Sequence, residues 1–94
     1  MSTNTVPDVP RVKPGEWVHV GKPGTDAVVC SVHTGSPIGD IEVVYLDDRN
    51  RAINEEAVWR DGGWQFKHSG PSGGYADNYA RLHQWVSILR QGPK

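Results

Sequence analysis

The chain has 94 residues, of which 36% are hydrophobic and 22% are charged. This length supports one domain with a single modest core, and it is too short for two. The 10 lysine and arginine residues nearly balance the 11 aspartate and glutamate residues. Because phosphate binding requires a basic surplus on some part of the surface, this balance argues against a nucleic-acid binder.

The charges are distributed unevenly along the chain. Residues 38–61 hold seven acidic and three basic side chains, a local charge of −4, and the remainder of the chain carries +3. An uneven layout of this kind can steer an oppositely charged partner. Acidic turns and a basic C-terminal part are also ordinary features of a solvated surface, so both interpretations stay open.

Cys30 is the only cysteine of the chain, so the fold must be stable without an intramolecular disulfide. It lies within the apolar run 28–32, and we expect it to be a small buried hydrophobic residue. The sequence has no secretory signal pattern and no apolar stretch of bilayer length. We therefore expect a cytoplasmic protein with no membrane partner.

Residues 1–14 hold three prolines and little periodicity, which predicts a flexible N-terminal arm. From residue 15 onward, short apolar runs alternate with glycine, proline and aspartate, the pattern of strands joined by tight turns. The predicted strands cover residues 16–21, 26–33, 40–47, a segment that starts at about 51, and 63–68. Both faces of the second strand are apolar, so we expect this strand to be central in the sheet.

Two of the predicted turns have characteristic residues. Asp61 and Gly62 stand between two tryptophan-bearing runs, and Asp-Gly is a preferred pair for a two-residue hairpin turn. Asn50, in the polar turn after the third strand, is expected to adopt a left-handed backbone conformation. The loops 34–39 and 69–74 are rich in glycine, proline and serine, which predicts irregular structure.

The hydrophobic period changes near residue 75, from every second residue to a helical repeat. Four residues in this part of the chain share one face of a helix: Tyr79, Leu82, Val86 and Leu89. We predict a helix within 77–91, with Asp77 as its N-cap and with Gly92 and Pro93 as its stop signal.

Together these elements predict a mostly β, α+β fold. Five antiparallel strands form a small barrel over residues 15–68, a loop covers 69–76, and the amphipathic helix packs across the barrel. The runs that carry the pattern are 14–20 (PGEWVHV), 27–29 (AVV), 41–45 (IEVVY) and 58–59 (VW). In order and residue type they resemble the strands of SH3-like barrels of the KOW and Tudor type, over residues 14–68. The resemblance implies a fold and no specific activity, and it leaves the helix unexplained.

Eight aromatic side chains are candidates for a binding surface: Trp17, Tyr45, Trp59, Trp64, Phe66, Tyr75, Tyr79 and Trp85. In a Tudor-like barrel, two or three rings at one mouth would form a cage for a methylated cation or a platform for a proline-rich peptide. The alternative is that the rings fill the core and seal the helix, since each ring buries a large area. Trp17 and Trp64 lie beside glycine-rich turns, so we expect their rings to be the most exposed.

We predict a non-catalytic binding module with a protein or peptide partner, present as a monomer or a weak dimer. The predicted surface lies on the third to fifth strands, where aromatic anchors and acidic side chains would meet a basic partner. The anchors are Trp17, Tyr45, Trp59 and Trp64, and the orienting charges are Asp47, Asp48 and Glu56.

Two other functions stay open. A nucleic-acid binder would stack bases on aromatic rings and contact phosphates with basic side chains, here Lys67, Arg81, Arg90 and Lys94. A small hydrolytic or metal-dependent enzyme would need a pocket that holds His33 or His68 beside a carboxylate. Cys30 and His33 are three positions apart in a predicted strand and so point to opposite faces, which argues against a zinc site. No catalytic residue and no cofactor are predicted.

Overall fold

In the computed structural model, residues 11–21, 24–32, 40–67 and 74–93 are described. Over these residues the chain forms a closed barrel of five strands followed by a helical segment. The strands are β1 (Trp17–Val20), β2 (Thr25–Val32), β3 (Ile41–Leu46), β4 (Ala52–Arg60) and β5 (Gly63–Phe66). The helical segment consists of two 3₁₀ turns, Ala76–Asn78 and Ala80–Leu82, and of the α-helix α1 (His83–Gln91).

This architecture confirms the predicted fold class and is consistent with a small SH3-like barrel. Within the described residues, every helix is too short and too polar to cross a bilayer. Most of the predicted N-terminal arm and of the two predicted irregular loops lies outside the described residues.

The barrel closes through a parallel contact. Consecutive strands from β1 to β5 pair antiparallel, whereas β1 and β5 meet in parallel at a bridge between Val20 and Trp64. Strands that alternate in direction leave the first and the fifth pointing the same way, so five of them can close only in parallel. The prediction of a purely antiparallel barrel is therefore wrong at this seam.

Both faces of the β2–β3 pair are covered by apolar side chains. The inner face belongs to the barrel core, which contains Val18, Val20, Ala27, Val29, Ile41, Val43, Ala57 and Trp64. The outer face contributes to a second core beneath the helical segment, which contains Val28, Cys30, Val44, Ala52, Ala76, Leu82, Val86 and Leu89. The two-sided apolar pattern of the second strand therefore has the predicted cause, because its alternate side chains serve two cores.

The helix starts later than predicted, and one of its four expected core residues is exposed. Three of the four are buried against the outer face of the barrel: Leu82, Val86 and Leu89. Tyr79 is 47% exposed, because its extended backbone (φ −119°, ψ 113°) separates the two 3₁₀ turns and interrupts the helical spacing. The prediction of Asp77 as N-cap is wrong, since α1 begins at His83 and has no side-chain cap.

The two predicted turns are confirmed. Asp61 and Gly62 have φ values of 56° and 78°, the pair of left-handed residues that a type I′ hairpin requires. Asn50 has a φ of 62°. These turns join β4 to β5 and β3 to β4, and so they set the register of the three strands that carry the candidate site.

A network of hydrogen bonds ties the segment before α1 to β3. The Arg81 guanidinium donates two hydrogen bonds to the Glu42 carboxylate, at 3.0 and 2.8 Å. The Ser31 hydroxyl donates to the same carboxylate at 3.1 Å. The hydrogen bonds from Arg81 are the main cause that lowers the pKa of Glu42 below its ordinary value of 4.5, against the opposing effect of burial.

We expect this network to make the stability of the protein depend on acid pH. A carboxyl group whose pKa is lowered by folding stabilises the native state above its unfolded pKa, and this contribution is lost as pH falls through the folded value. In Glu42→Gln the free energy of unfolding should therefore fall less than in the wild type as pH decreases below 4.5. Urea unfolding over a pH series measures the difference.

The matched variant for this experiment is Arg81→Gln, which removes the cation that pairs with Glu42. It should also reduce the fall in the free energy of unfolding as pH decreases below 4.5. Some acid dependence should persist in both variants, because the pKa of Asp47 is also lowered, chiefly by the hydrogen bond from the Arg51 backbone. Wild-type and variant profiles that run parallel below pH 4.5 would contradict the assigned role of the Arg81–Glu42 pair.

Candidate functional site

Four aromatic side chains lie on the inner face of β3, β4 and β5, and we refer to them as the aromatic row: Tyr45, Trp59, Trp64 and Phe66. Trp59 and Trp64 are opposite each other in the β4–β5 register, with ring centroids 5.2 Å apart and an edge-to-face angle of 75°. The Tyr45 and Phe66 rings are 5.0 Å apart and tilted by 45°. Both arrangements are favourable for aromatic pairs, so the rings support one another in fixed positions.

The members of the aromatic row differ in exposure. Trp64 is 7% exposed and belongs to the barrel core, whereas Tyr45, Trp59 and Phe66 are half-buried and pack against that core. The expectation that Trp64 would be among the most exposed rings is wrong. Trp64 forms the bridge to Val20 of β1, and its side chain points into the barrel. Closure of the barrel therefore buries the ring.

Trp17 lies apart from the aromatic row. Its side chain is on the outer face of the barrel, where it packs against the core beneath the helical segment, together with Leu46, Trp85 and Ile88. Because Trp17 and the row are on opposite faces of the sheet, the four predicted anchors do not share one surface.

The predicted orienting acids have different surroundings. Asp47 accepts hydrogen bonds from the backbone N–H groups of Arg49 and Arg51, at 2.9 and 2.8 Å, and so organises the β3–β4 turn. Asp48 is exposed in that same turn. Glu56 is half-buried on the outer face of β4, opposite Glu42 of β3. Only the two aspartates therefore lie at the end of β3 that carries Tyr45.

Glu55 is an acidic residue of the inner face that the sequence pattern did not single out. It is 5% exposed and pairs in register with Val43, a residue of the barrel core. Burial raises the pKa of Tyr45, and the charges of Glu55 and Asp47 raise it further. Two acidic groups therefore lie near the Tyr45 end of the aromatic row, and one of them, Asp47, also contacts the Arg51 guanidinium at 3.3 Å.

The basic side chains proposed as phosphate contacts already have acidic partners. Lys67 donates to Asp40 at 3.1 Å, and Arg81 forms the pair with Glu42 described above. Arg90 contacts Asp77 at 3.3 Å, and Lys94 lies outside the described residues. The Lys67 pKa is raised, mainly by the hydrogen bond to Asp40. Lys67, Arg81 and Arg90 would each have to exchange a carboxylate for a phosphate, which weakens the nucleic-acid interpretation.

A cleft of about 610 Å³ adjoins the aromatic row at the seam between β1 and β5. Its lining consists of His19, Gly21, Asp61, Gly62, Gly63, Trp64, Gln65 and Phe66. The volume is within the roughly 300–1,000 Å³ that is typical of ligand sites. Phe66 is among the aromatic candidates of the sequence but not among the predicted anchors, although strand alternation places it on the same face as Trp64.

Cys30 is buried in the second core, as predicted. Burial raises the pKa of its thiol to about 12, so the thiol is protonated at neutral pH and is a poor nucleophile. The parts of the chain that the structure describes hold no group of three or more potential metal ligands. His33 and His68, on which the enzyme interpretation depends, lie outside those parts.

Comparisons with known proteins leave the functional argument to the residues of this chain. No family model matches the sequence, and neither a curated protein nor a solved structure does.

Proposed function

We propose that this chain is a small non-catalytic binding module that recognises a basic peptide segment of another protein. The observation that carries the proposal is the aromatic row, two ring pairs on one face of three neighbouring strands beside an open cleft. Aromatic side chains that are held rigid and partly exposed are the commonest anchors of protein interfaces. The resemblance of residues 14–68 to KOW and Tudor type barrels supports a binding role by analogy of fold alone.

In this proposal the anchors are Tyr45, Trp59 and Phe66, and Trp64 supports them from the core. We assign a basic partner because acidic side chains lie at both ends of the row. Asp47 and Asp48 lie at the end of β3 next to Tyr45, and Asp61 lines the cleft at the other end. Such charges orient a cationic partner and speed its association more than they add to affinity.

The proposal is tested with peptides selected from a random display library on the immobilised protein. For a selected peptide, Trp59→Ala should weaken binding by about 2 kcal/mol, the size of an interface hot spot. Tyr45→Ala should act in the same direction, and isothermal titration calorimetry measures both. The matched control is Trp85→Ala, which removes a half-buried ring from the helix side of the barrel and should leave the affinity unchanged.

Circular dichroism of each variant shows whether the fold is retained. The proposal is contradicted if selection yields no binding peptide, or if Trp85→Ala weakens binding as much as Trp59→Ala does. Salt-dependent binding to an oligonucleotide with no binding to any selected peptide would favour the nucleic-acid alternative instead.

A further inference from the structure

A groove lies on the outer face of the barrel, where β1 and β2 meet the end of α1. It consists of two hollows of about 500 and 320 Å³. Trp17, Gly92 and Pro93 line both hollows, so the two adjoin and Trp17 lies between them. We refer to this surface as the Trp17 groove. It is on the opposite face of the sheet from the aromatic row.

The lining of the Trp17 groove is largely apolar. Ile88 borders the larger hollow, and Leu46 and Leu89 border the smaller one. Trp17 is half-buried, so part of its ring is accessible from the groove. The same surface therefore carries an accessible ring and, beside it, hollows with apolar walls. A surface that has both features can pair with a copy of itself.

Two opposite charges border the smaller hollow, Asp26 on β2 and Arg90 on α1. Their side chains are 48% and 41% exposed, so a partner can reach both. The Asp26 carboxylate lies 2.7 Å from the His19 ring, and the Arg90 guanidinium lies 3.3 Å from Asp77 and from the Asn50 carbonyl. Ion pairs this exposed contribute little to stability, so an exchange of partners costs little.

We propose that the Trp17 groove is the interface of a symmetric homodimer. In a two-fold interface every contact occurs twice, because residue i of one copy meets residue j of the other and the reverse. The Trp17 ring of each copy would occupy a hollow beside the ring of its partner. The Asp26 carboxylate of each copy would meet the Arg90 guanidinium of the other.

The charges identify the occupant of the groove as a second copy of this chain. A partner of uniform charge would be attracted by one of Asp26 and Arg90 and repelled by the other, whereas a second copy offers both charges in the complementary order. The net charge of the chain is −1, so two copies meet with little overall repulsion. The groove covers part of one face only. We therefore expect a weak dimer in which the aromatic row stays accessible.

Charge reversal tests this interface, with sedimentation velocity of the full chain over a concentration series up to about 1 mM. The wild type should dimerise reversibly. Asp26→Arg brings two arginines together, and Arg90→Asp brings two aspartates together. Each should weaken dimerisation by about ten-fold or more, because the repulsion occurs twice in the dimer. The double variant restores opposite charges and should recover the wild-type affinity to within about three-fold.

A matched control and a second measurement accompany the series. Arg60→Asp makes the same charge change as Arg90→Asp at an exposed residue of β4 outside the groove, and it should leave the dimer unchanged. Circular dichroism shows whether each variant retains the fold. In protein labelled with 5-fluorotryptophan, the fluorine resonance of Trp17 should shift on dilution, whereas that of Trp59 should stay constant.

Each outcome decides the proposal. A wild type that stays monomeric over the whole series overturns it. A dimer that the double variant does not restore, or that Arg60→Asp weakens equally, is formed by another surface and overturns it as well. If the chain is monomeric and Asp26→Arg abolishes binding of a selected peptide, the occupant of the groove is the peptide partner instead. Should Arg90→Asp fail to fold, the shift of the Trp17 resonance in the wild type decides.

Discussion

Replacing Trp64 by alanine should lower the free energy of unfolding by about 3–5 kcal/mol, the usual cost of removing a large buried ring. Trp64 is 7% exposed, contacts the Trp59 ring edge to face and forms the bridge that closes the barrel onto Val20. Its removal leaves a cavity at the one seam where the strands share a single bridge. Since domains of this size are stable by only about 5–15 kcal/mol, the variant should be partly unfolded or close to it.

Urea unfolding followed by far-ultraviolet circular dichroism measures this loss. Trp59→Ala is the matched control, because the Trp59 ring is only half-buried and its removal should cost clearly less. Trp64→Phe keeps most of the apolar volume and should recover much of the stability. A Trp64→Ala variant as stable as the wild type would show that the ring is not part of the core, and the original expectation of an exposed anchor would be restored.

Leu82→Ala should destabilise the protein by about 2–5 kcal/mol, whereas Tyr79→Ala should change stability by no more than about 0.5 kcal/mol. The two residues lie on one face of the helix that the sequence predicts. In the structure Leu82 is 0% exposed and Tyr79 is 47% exposed. Leu82 belongs to the helical segment and packs onto Val28 and Val44 of the barrel. Its truncation therefore leaves a cavity between the helical segment and the barrel.

The two variants form a matched pair because both are in the segment that precedes α1 and neither changes a charge. Thermal or urea unfolding of the two proteins side by side gives the comparison. Equal destabilisation by both substitutions would mean that the segment is a continuous helix with Tyr79 on its buried face, contrary to the two 3₁₀ turns. A small effect of Leu82→Ala would mean that the helical segment contributes little to the stability of the barrel.

The two tests also bear on the candidate site. Trp64 supports the aromatic row from the core, so a change at this position alters folding and binding together and says little about binding alone. Tyr45 and Trp59 are half-buried, and their truncation is better suited to binding experiments. Trp85, on the helix side, provides an aromatic substitution of similar burial on the opposite face.

Local patterns in the sequence were sufficient for the strands and the turns. The apolar alternation located all five strands, and every strand end that was predicted lies within two residues of the observed end. The reason is that successive side chains of a strand point to opposite faces, so a buried face appears in the sequence with a period of two. Asp61, Gly62 and Asn50 were recognisable because positive φ values restrict the residue types that a turn accepts. The two-sided apolar pattern of β2 likewise reflected a strand between two cores.

The site itself depended on contacts between residues distant in sequence. Alternation places Trp64 and Phe66 on one face of β5, but only closure of the barrel makes that face the interior and buries Trp64. The helical spacing of Tyr79 does not reveal the extended backbone at that residue, because the interruption arises where the chain packs onto the barrel. In the sequence, Glu55 cannot be distinguished from a solvated acidic residue of a strand. Its pairing with Val43 of β3 places it on the inner face of the barrel.

The sequence by itself therefore determined which segments are strands, where they turn and which residue faces are apolar, since these properties depend on neighbours along the chain. The tertiary structure alone decided the parallel closure, the burial of Trp64 and the carboxylate partners of Lys67 and Arg81. Each of these requires two segments far apart in sequence to meet. The physical reason is that the energy of such contacts depends on the relative positions of whole strands, which a local pattern does not contain.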